Sequence, residues 1–116
     1  MLVFKEGRII YDEQRKSKIL EMISDEYCRK ILSITMREHK SVNEISEETK
    51  IPISTIYRRV QMLHDEKLMR VFGTINGDGK KSFFYKSKVK SVSTFFNEDS
   101  IEIKIVSNNM EKFVDR

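Results

Sequence analysis

The spacing of apolar residues changes once along this chain, near residue 66. Before that point it is helical: Ile56, Val60 and Leu63 lie four and three residues apart, which is typical of one buried side of a helix. After it, apolar and polar residues alternate, as in Ile101 to Ile105, which is typical of strands with one buried face. A chain with helices first and strands later is expected to form an α+β fold, because the strands then pair with their sequence neighbours as hairpins.

Length and cysteine content limit the class of protein. A chain of 116 residues is expected to build one compact domain around one core. Cys28 is the single cysteine, so an internal disulfide and a thiolate metal cluster are both excluded. Charges at Lys5, Glu6 and Arg8 interrupt the N-terminus, and no apolar run is long enough to cross a bilayer. We therefore expect a protein of the reducing cytoplasm that does not associate with membranes.

Four helices are predicted in the first part of the chain. The first covers residues 11–23, where Ile19, Leu20 and Ile23 recur among charged residues. The second is expected to have Ser24 as its N-cap and to end in a basic stretch at residues 37–40. A short third helix follows Ser41. Pro52 is suited to a first helical turn, so the fourth helix is predicted over residues 52–66.

Two β-hairpins are predicted in the second part. The first joins strands at 68–75 and 80–85 through Asn76-Gly77-Asp78-Gly79, a sequence that tolerates positive φ, and places Lys80 and Lys81 at its tip. The second joins residues 89–96 to 101–106. Residues 89–96 alternate poorly, so the register of this second pair is left open. The expected organisation is an N-terminal extension (1–23), a central unit (24–87) and a C-terminal hairpin with its tail (88–116).

Positive charge is concentrated in the middle of the chain. The whole sequence has a formal net charge of +4, yet residues 50–90 contain 10 basic and 3 acidic side chains, a net of +7. Both flanks are slightly acidic. This distribution favours a surface that faces a polyanion, although a solvated charged face is the alternative until the supporting structure is known.

Hydrogen-bonding side chains lie on the fourth helix opposite its apolar stripe. Counting about 100° per residue from Ile56 places Ser54 at about 160°, Arg58 at about 200° and Gln61 at about 140°. Tyr57 and Asp65 belong to the same side. This face is chemically equipped to contact a polar partner.

The order of short helix, turn, longer helix and basic hairpin resembles the winged helix-turn-helix of prokaryotic transcription regulators, of the ArsR-like and MarR-like type. The resemblance rests on Ser41-Val42-Asn43-Glu44-Ile45-Ser46, on Ile53-Ser54-Thr55-Ile56-Tyr57-Arg58-Arg59-Val60, and on Leu63 with Leu68-Met69. Two positions depart from that family, which commonly has glycine where Lys50 and Lys67 stand here. The metal-sensing members use closely spaced cysteines, which this chain lacks.

The resemblance implies binding to double-stranded DNA, with residues 52–66 as recognition helix in the major groove and residues 69–85 as a wing on the phosphates or the minor groove. Side-chain chemistry agrees, since arginine can pair bidentately with guanine and glutamine with adenine. Lysines of the hairpin suit phosphates. For Lys86, Lys88 and Lys90 we expect a solvated or edge-protecting strand face instead. The predicted DNA-contacting residues are Ser54, Thr55, Tyr57, Arg58, Arg59, Gln61, Lys80 and Lys81.

A homodimer is expected by analogy with that family. Residues 11–23 or 89–106 could bury an apolar face against a second copy, or could complete the core of the monomer instead. The competing hypothesis is a winged-helix protein-interaction module within a larger transcription assembly, which docks a partner through Phe83, Phe84 and Tyr85.

Catalytic, metal and cofactor functions are not predicted. His39 and His64 have no further ligands at metal-binding spacing. Cys28 falls in an apolar stripe and is expected to be a small core residue, with redox sensing left open. Gly77 to Lys81 lacks the helix that a phosphate loop requires. No effector ligand can be named from these residues.

Overall fold

The computed structural model describes residues 7–108, and these form an α+β fold of four helices and two antiparallel sheets. The expected fold class is confirmed at that level. The helices are α1 (Glu13–Ser24), α2 (Glu26–Ile34), α3 (Val42–Thr49) and α4 (Ile53–Asp65). The strands are β1 (Arg8–Ile10), β2 (Met69–Ile75), β3 (Lys81–Ser87), β4 (Val89–Asn97) and β5 (Ser100–Ser107).

Helix α2 differs from its prediction at both ends. Its N-cap is Asp25, not Ser24, and the Asp25 carboxylate accepts a hydrogen bond from the Cys28 N–H at 2.8 Å. The helix ends at Thr35, so the basic residues 37–40 lie beyond it. Lys40 instead exchanges two backbone hydrogen bonds with Tyr85 of β3, at 2.9 and 3.0 Å. This long-range pairing competes with helix continuation, and no local pattern predicts it.

The turn between α3 and α4 has a backbone geometry that glycine adopts more readily than other residues. Ser41 and Glu44 form the capping box that starts α3. Lys50 then takes a left-handed conformation with φ 65°, and Ile51 precedes the extended Pro52 that caps α4. Lys67 adopts the same conformation after α4, with φ 63°. Both lysines therefore hold left-handed conformations at helix C-termini, which glycine would reach without a Cβ clash.

The strands form two separate sheets. Strands β2 and β3 make one hairpin, in which Val71 lies opposite Tyr85 and Ile75 opposite Lys81. The other sheet has the order β1-β5-β4. A bulge between Val89 and Ser91 explains the poor alternation of the first strand of this second hairpin.

Strand β1 was not predicted. It has only three residues and pairs with β5, from which it is separated by almost the whole chain. A segment this short has no usable periodicity of its own. The part of the predicted N-terminal extension that precedes Gly7, and the tail after Asn108, lie outside the described residues.

One apolar core joins the helices to both sheets. Helix α4 contributes Ile56, Val60 and Leu63 to it, each at most 2% exposed, as predicted. The other fully buried members come from the remaining helices, from around the start of β2 and from β5; they include Ile19, Cys28, Ile31, Ile45, Leu68, Met69, Ile103 and Ile105. Because α4 contacts α2, α3 and β2, its orientation is set by three neighbours at once.

We predict that Lys50→Gly and Lys67→Gly each increase the free energy of unfolding by about 0.5–1 kcal/mol. Glycine reaches positive φ without the Cβ clash that lysine carries, and this gain exceeds its larger loss of chain entropy. Urea denaturation would measure the change. Lys50→Ala is the control, since alanine keeps the Cβ; a gain for alanine equal to that for glycine would contradict the argument.

Candidate nucleic-acid interface

The outer face of α4 is exposed and polar. Ser54, Tyr57, Arg58 and Gln61 are all exposed, on the side of the helix that faces away from its buried stripe. Thr55 is half-buried at the edge of this face. The helix is therefore oriented as the spacing of its apolar residues predicted, and these side chains face solvent.

Arg58 and Gln61 differ in how they are held. Within residues 7–108, no hydrogen bond or ion pair engages the Arg58 guanidinium. The Gln61 amide donates to the Asp65 carboxylate at 2.9 Å, so Asp65 pairs with Gln61 and leaves Arg58 unpaired. Arg58 thus keeps its full set of donors for an external acceptor.

Arg59 faces the protein and not the outer surface. Its guanidinium donates two hydrogen bonds to Asp25, from Nε to Oδ2 at 3.0 Å and from Nη2 to Oδ1 at 3.3 Å, and lies 5.6 Å from the centre of the Tyr27 ring. Asp25 is also the N-cap of α2. The pair therefore connects α4 to the start of α2, a long-range contact that sequence reasoning did not identify.

The ion pair perturbs both partners electrostatically. Hydrogen bonds from Arg59 lower the pKa of Asp25 to about 2, although partial burial opposes that shift. The same contact raises the pKa of Arg59. The buried thiol of Cys28 lies beside this pair, and burial raises its pKa to about 12. Cys28 is fully buried in the core, as predicted, and the raised pKa of its thiol disfavours thiolate chemistry.

The tip of the β2–β3 hairpin carries Lys80 and Lys81. The Asn76 side chain accepts hydrogen bonds from the backbone N–H groups of Asp78 and Lys80, both at 3.0 Å, and so closes the predicted turn. Lys80 and Lys81 are both exposed, and the Lys81 ammonium lies 5.8 Å from the centre of the Phe83 ring. The two cations are thus displayed at the end of an ordered hairpin.

A groove of about 430 Å³ lies between this hairpin and the helices. Tyr57 of α4, Lys81 and Phe83 of β3, and Ser41 and Asn43 at the start of α3 line it. A second groove of about 370 Å³ is also lined by Tyr57 and Phe83, together with Gln61 and His64 of α4. The outer face of α4 and the basic hairpin are therefore parts of one continuous surface.

Aromatic residues of β3 have different environments. Phe83 is 48% exposed and lies across from Gly73, where a Cβ would come within 3.3 Å of its ring. Phe84 packs with Phe72 and His39, whose ring is 5.0 Å from each of them. Tyr85 is buried. Only Phe83 of the three is presented to solvent to a large extent.

The prediction for Lys86 is wrong. A solvated or edge-protecting position was expected, but Lys86 is 5% exposed and its ammonium donates to the Arg37 carbonyl at 3.2 Å. The chain between α2 and α3 covers this part of β3, which strand alternation cannot show. Lys88 and Lys90 are exposed, as expected.

Metal-ligand clusters and helices of membrane-spanning length are both missing from the described part of the chain. No group of three or more His, Cys, Asp or Glu side chains within residues 7–108 is arranged to hold a metal ion. No helix in that range combines the length and apolar character needed to span a bilayer. Comparison with known proteins found no family model that matches this chain and no curated protein with significant similarity to it.

We predict that the Asp25–Arg59 pair makes stability depend on acid pH. Because the pKa of Asp25 is lower in the folded protein than its usual value of 3.8, its contribution is complete above pH 3.8 and is lost as the pH falls through about 2. Wild-type protein should therefore lose more stability than Asp25→Asn over that interval. Urea denaturation at several pH values would measure the difference.

Asp25→Asn is the informative variant because the asparagine oxygen keeps the N-cap of α2, while the side chain loses the titratable charge and one of the two acceptors for Arg59. Asp25→Ala removes both and should cost about 1–2 kcal/mol at neutral pH. If the free energy of unfolding depended on pH identically in the wild type and in Asp25→Asn, the ion pair would contribute nothing to the acid dependence of stability.

Proposed function

We propose that this protein binds duplex DNA sequence-specifically and regulates transcription as a winged helix-turn-helix protein, similar to the ArsR-like and MarR-like regulators, in the cytoplasm of a prokaryotic cell. Helices α3 and α4 are the two helices of the motif, and β2–β3 is the wing. The observation that carries the proposal is the groove in which Tyr57 of α4 and Lys81 of the hairpin meet. It supports one surface that reads bases with α4 and holds phosphates with the wing.

The exposure of basic residues in the middle of the chain supports a polyanionic partner. Eight of the ten basic residues in 50–90 are exposed, whereas Arg59 is half-buried and Lys86 is buried. Exposed lysines that neutralise phosphates release counterions, and this release supplies sequence-independent affinity. The exposed basic residues are Lys50, Arg58, Lys67, Arg70, Lys80, Lys81, Lys88 and Lys90.

Sequence discrimination would come from the outer face of α4. Arg58 is exposed and unpaired within the described residues, so it can direct two donors to the O6 and N7 acceptors of a guanine. Gln61 can contact adenine once it releases Asp65. Ser54, Thr55 and Tyr57 complete the face as donors to phosphates or base edges. Arg59 is not among the proposed DNA contacts, because its ion pair with Asp25 holds α4 against α2.

The protein-interaction hypothesis has less support. It relied on three aromatic residues of β3, but Phe84 is packed against His39 and Phe72, and Tyr85 is in the core. Phe83 alone is a small anchor for a protein partner. We therefore propose DNA as the partner of this surface.

We predict that affinity for duplex DNA falls steeply with salt, and that Lys80→Ala and Lys81→Ala each reduce the slope of log affinity against log salt by about 0.9. Each substitution removes one phosphate contact. Fluorescence anisotropy at several salt concentrations would measure the slope. Lys30→Ala, on the exposed side of α2, is the charge-matched control and should leave the slope unchanged.

We predict that Arg58→Ala weakens binding to preferred sequences by about 1–3 kcal/mol and relaxes base preference at one position. Selection of bound duplexes from a random library would first provide the preferred sequence. Retention of full duplex affinity after replacement of Arg58, Gln61, Lys80 and Lys81 together would overturn the proposed function.

A further inference from the structure

The two faces of the β2–β3 hairpin have different neighbours. Side chains of successive strand residues point to opposite faces. Phe83 and Tyr85 therefore share one face, and both line the groove of about 370 Å³ along α4. Phe84 and Lys86 lie on the other face, which contacts the chain between α2 and α3. The hairpin is thus held between α4 on one face and this connecting chain on the other.

Backbone hydrogen bonds attach β3 to the connecting chain. Lys40 exchanges two of them with Tyr85, at 2.9 and 3.0 Å. The Ser87 N–H donates another to the Thr35 carbonyl at 3.1 Å. Lys86 therefore lies between two backbone attachment points, where its side-chain contact adds a further restraint on the hairpin.

The contact of Lys86 is unusual because its charge is buried. The ammonium donates to the Arg37 carbonyl at 3.2 Å, and within residues 7–108 no carboxylate pairs with it. A buried ammonium without a carboxylate partner costs solvation free energy, whereas a methionine of similar length would fill the same space without that cost. Packing alone therefore does not favour lysine at this position. What the ammonium adds is a directional hydrogen bond to one point of the connecting chain.

We propose that Lys86 is a positioning residue of the wing: its hydrogen bond to the Arg37 carbonyl fixes the angle of β2–β3 relative to α4. The inference rests on the proposed function, because this angle places Lys80 and Lys81 against phosphates while α4 reads the bases. Lys86 is only 5% exposed, so it cannot itself reach a phosphate. Its effect on DNA binding is therefore transmitted by the two exposed lysines.

Amide hydrogen exchange of the full chain without DNA tests the positioning itself. Lys86→Met keeps a side chain of similar length and removes the ammonium. The Tyr85 and Lys40 N–H groups, which join the hairpin to the connecting chain, should then exchange about tenfold faster. The Val60 N–H, in the middle of α4, should not exchange faster. Unchanged exchange at Tyr85, or an equal acceleration at Val60, would overturn the inference.

Lys88→Met is the matched control for the exchange experiment. It removes the same charge two residues further along the chain, at an exposed position, and should leave the exchange rates unchanged. Circular dichroism would verify that both variants fold. If Lys86→Met does not fold, Lys86→Gln replaces it: its amide is one bond shorter than the lysine side chain, and it should accelerate exchange at Tyr85 in the same way.

Binding to duplex DNA tests the consequence for the wing. Lys86→Met should reduce the slope of log affinity against log salt by about 0.9–1.8, the equivalent of one or two lost phosphate contacts. In a background of Lys80→Ala and Lys81→Ala it should change the slope no further, because the residues through which it acts are already missing. Lys30→Met is the charge-matched control and should leave the slope unchanged.

The two experiments separate failure of this inference from failure of the proposed function. If the wild type does not bind duplex DNA, the proposed function fails, and hydrogen exchange still decides whether Lys86 positions the hairpin. If the wild type binds but Lys86→Met keeps the wild-type slope, the inference is overturned and the DNA proposal stands. A further reduction of the slope in the Lys80→Ala and Lys81→Ala background would also overturn it, because Lys86 would then act independently of the wing lysines.

Discussion

Burial of one side of α4 is the constraint on which the rest of the structure depends. Ile56, Val60 and Leu63 pack against α2, α3 and β2 at once, so the helix cannot rotate about its axis without exposing apolar surface. A rotation-locked helix must present the opposite residues to solvent. The exposure of Arg58 and Gln61 is therefore a consequence of core packing, and the proposed reading of DNA depends on it.

Polar contacts add to the positioning of α4 by the apolar core. Lys50 in its left-handed conformation turns the chain from α3 into α4. At the other flank of α4, Arg59 holds the N-cap of α2 through two hydrogen bonds to Asp25. Arg59 thus stabilises the packing of α4 on α2, whereas its neighbour Arg58 faces solvent. Only the 100° step between successive helical residues separates these two roles.

Much of the fold could be predicted because its signals are local. Capping residues, Pro52 and the Asn76 to Gly79 turn act within a few residues of their own position, and the helices and hairpins they delimit were confirmed. Apart from the N-cap of α2, which is Asp25 and not Ser24, the errors have a common physical origin. The early end of α2, the strand β1 and the burial of Lys86 all depend on partners far along the chain, namely Tyr85, β5 and Arg37. Periodicity contains no information on such partners.

The sequence by itself determined which residues of α4 face inward, where the hairpins turn, and that positive charge is concentrated in residues 50–90, because each of these follows from spacing and residue type. Tertiary structure alone decided which of those charges remain available: it engaged Arg59 with Asp25, buried Lys86 and left Arg58 unpaired within the described residues. It also decided that β4 lies at the edge of its sheet. These outcomes depend on contacts between distant segments, which form only when the core brings them together.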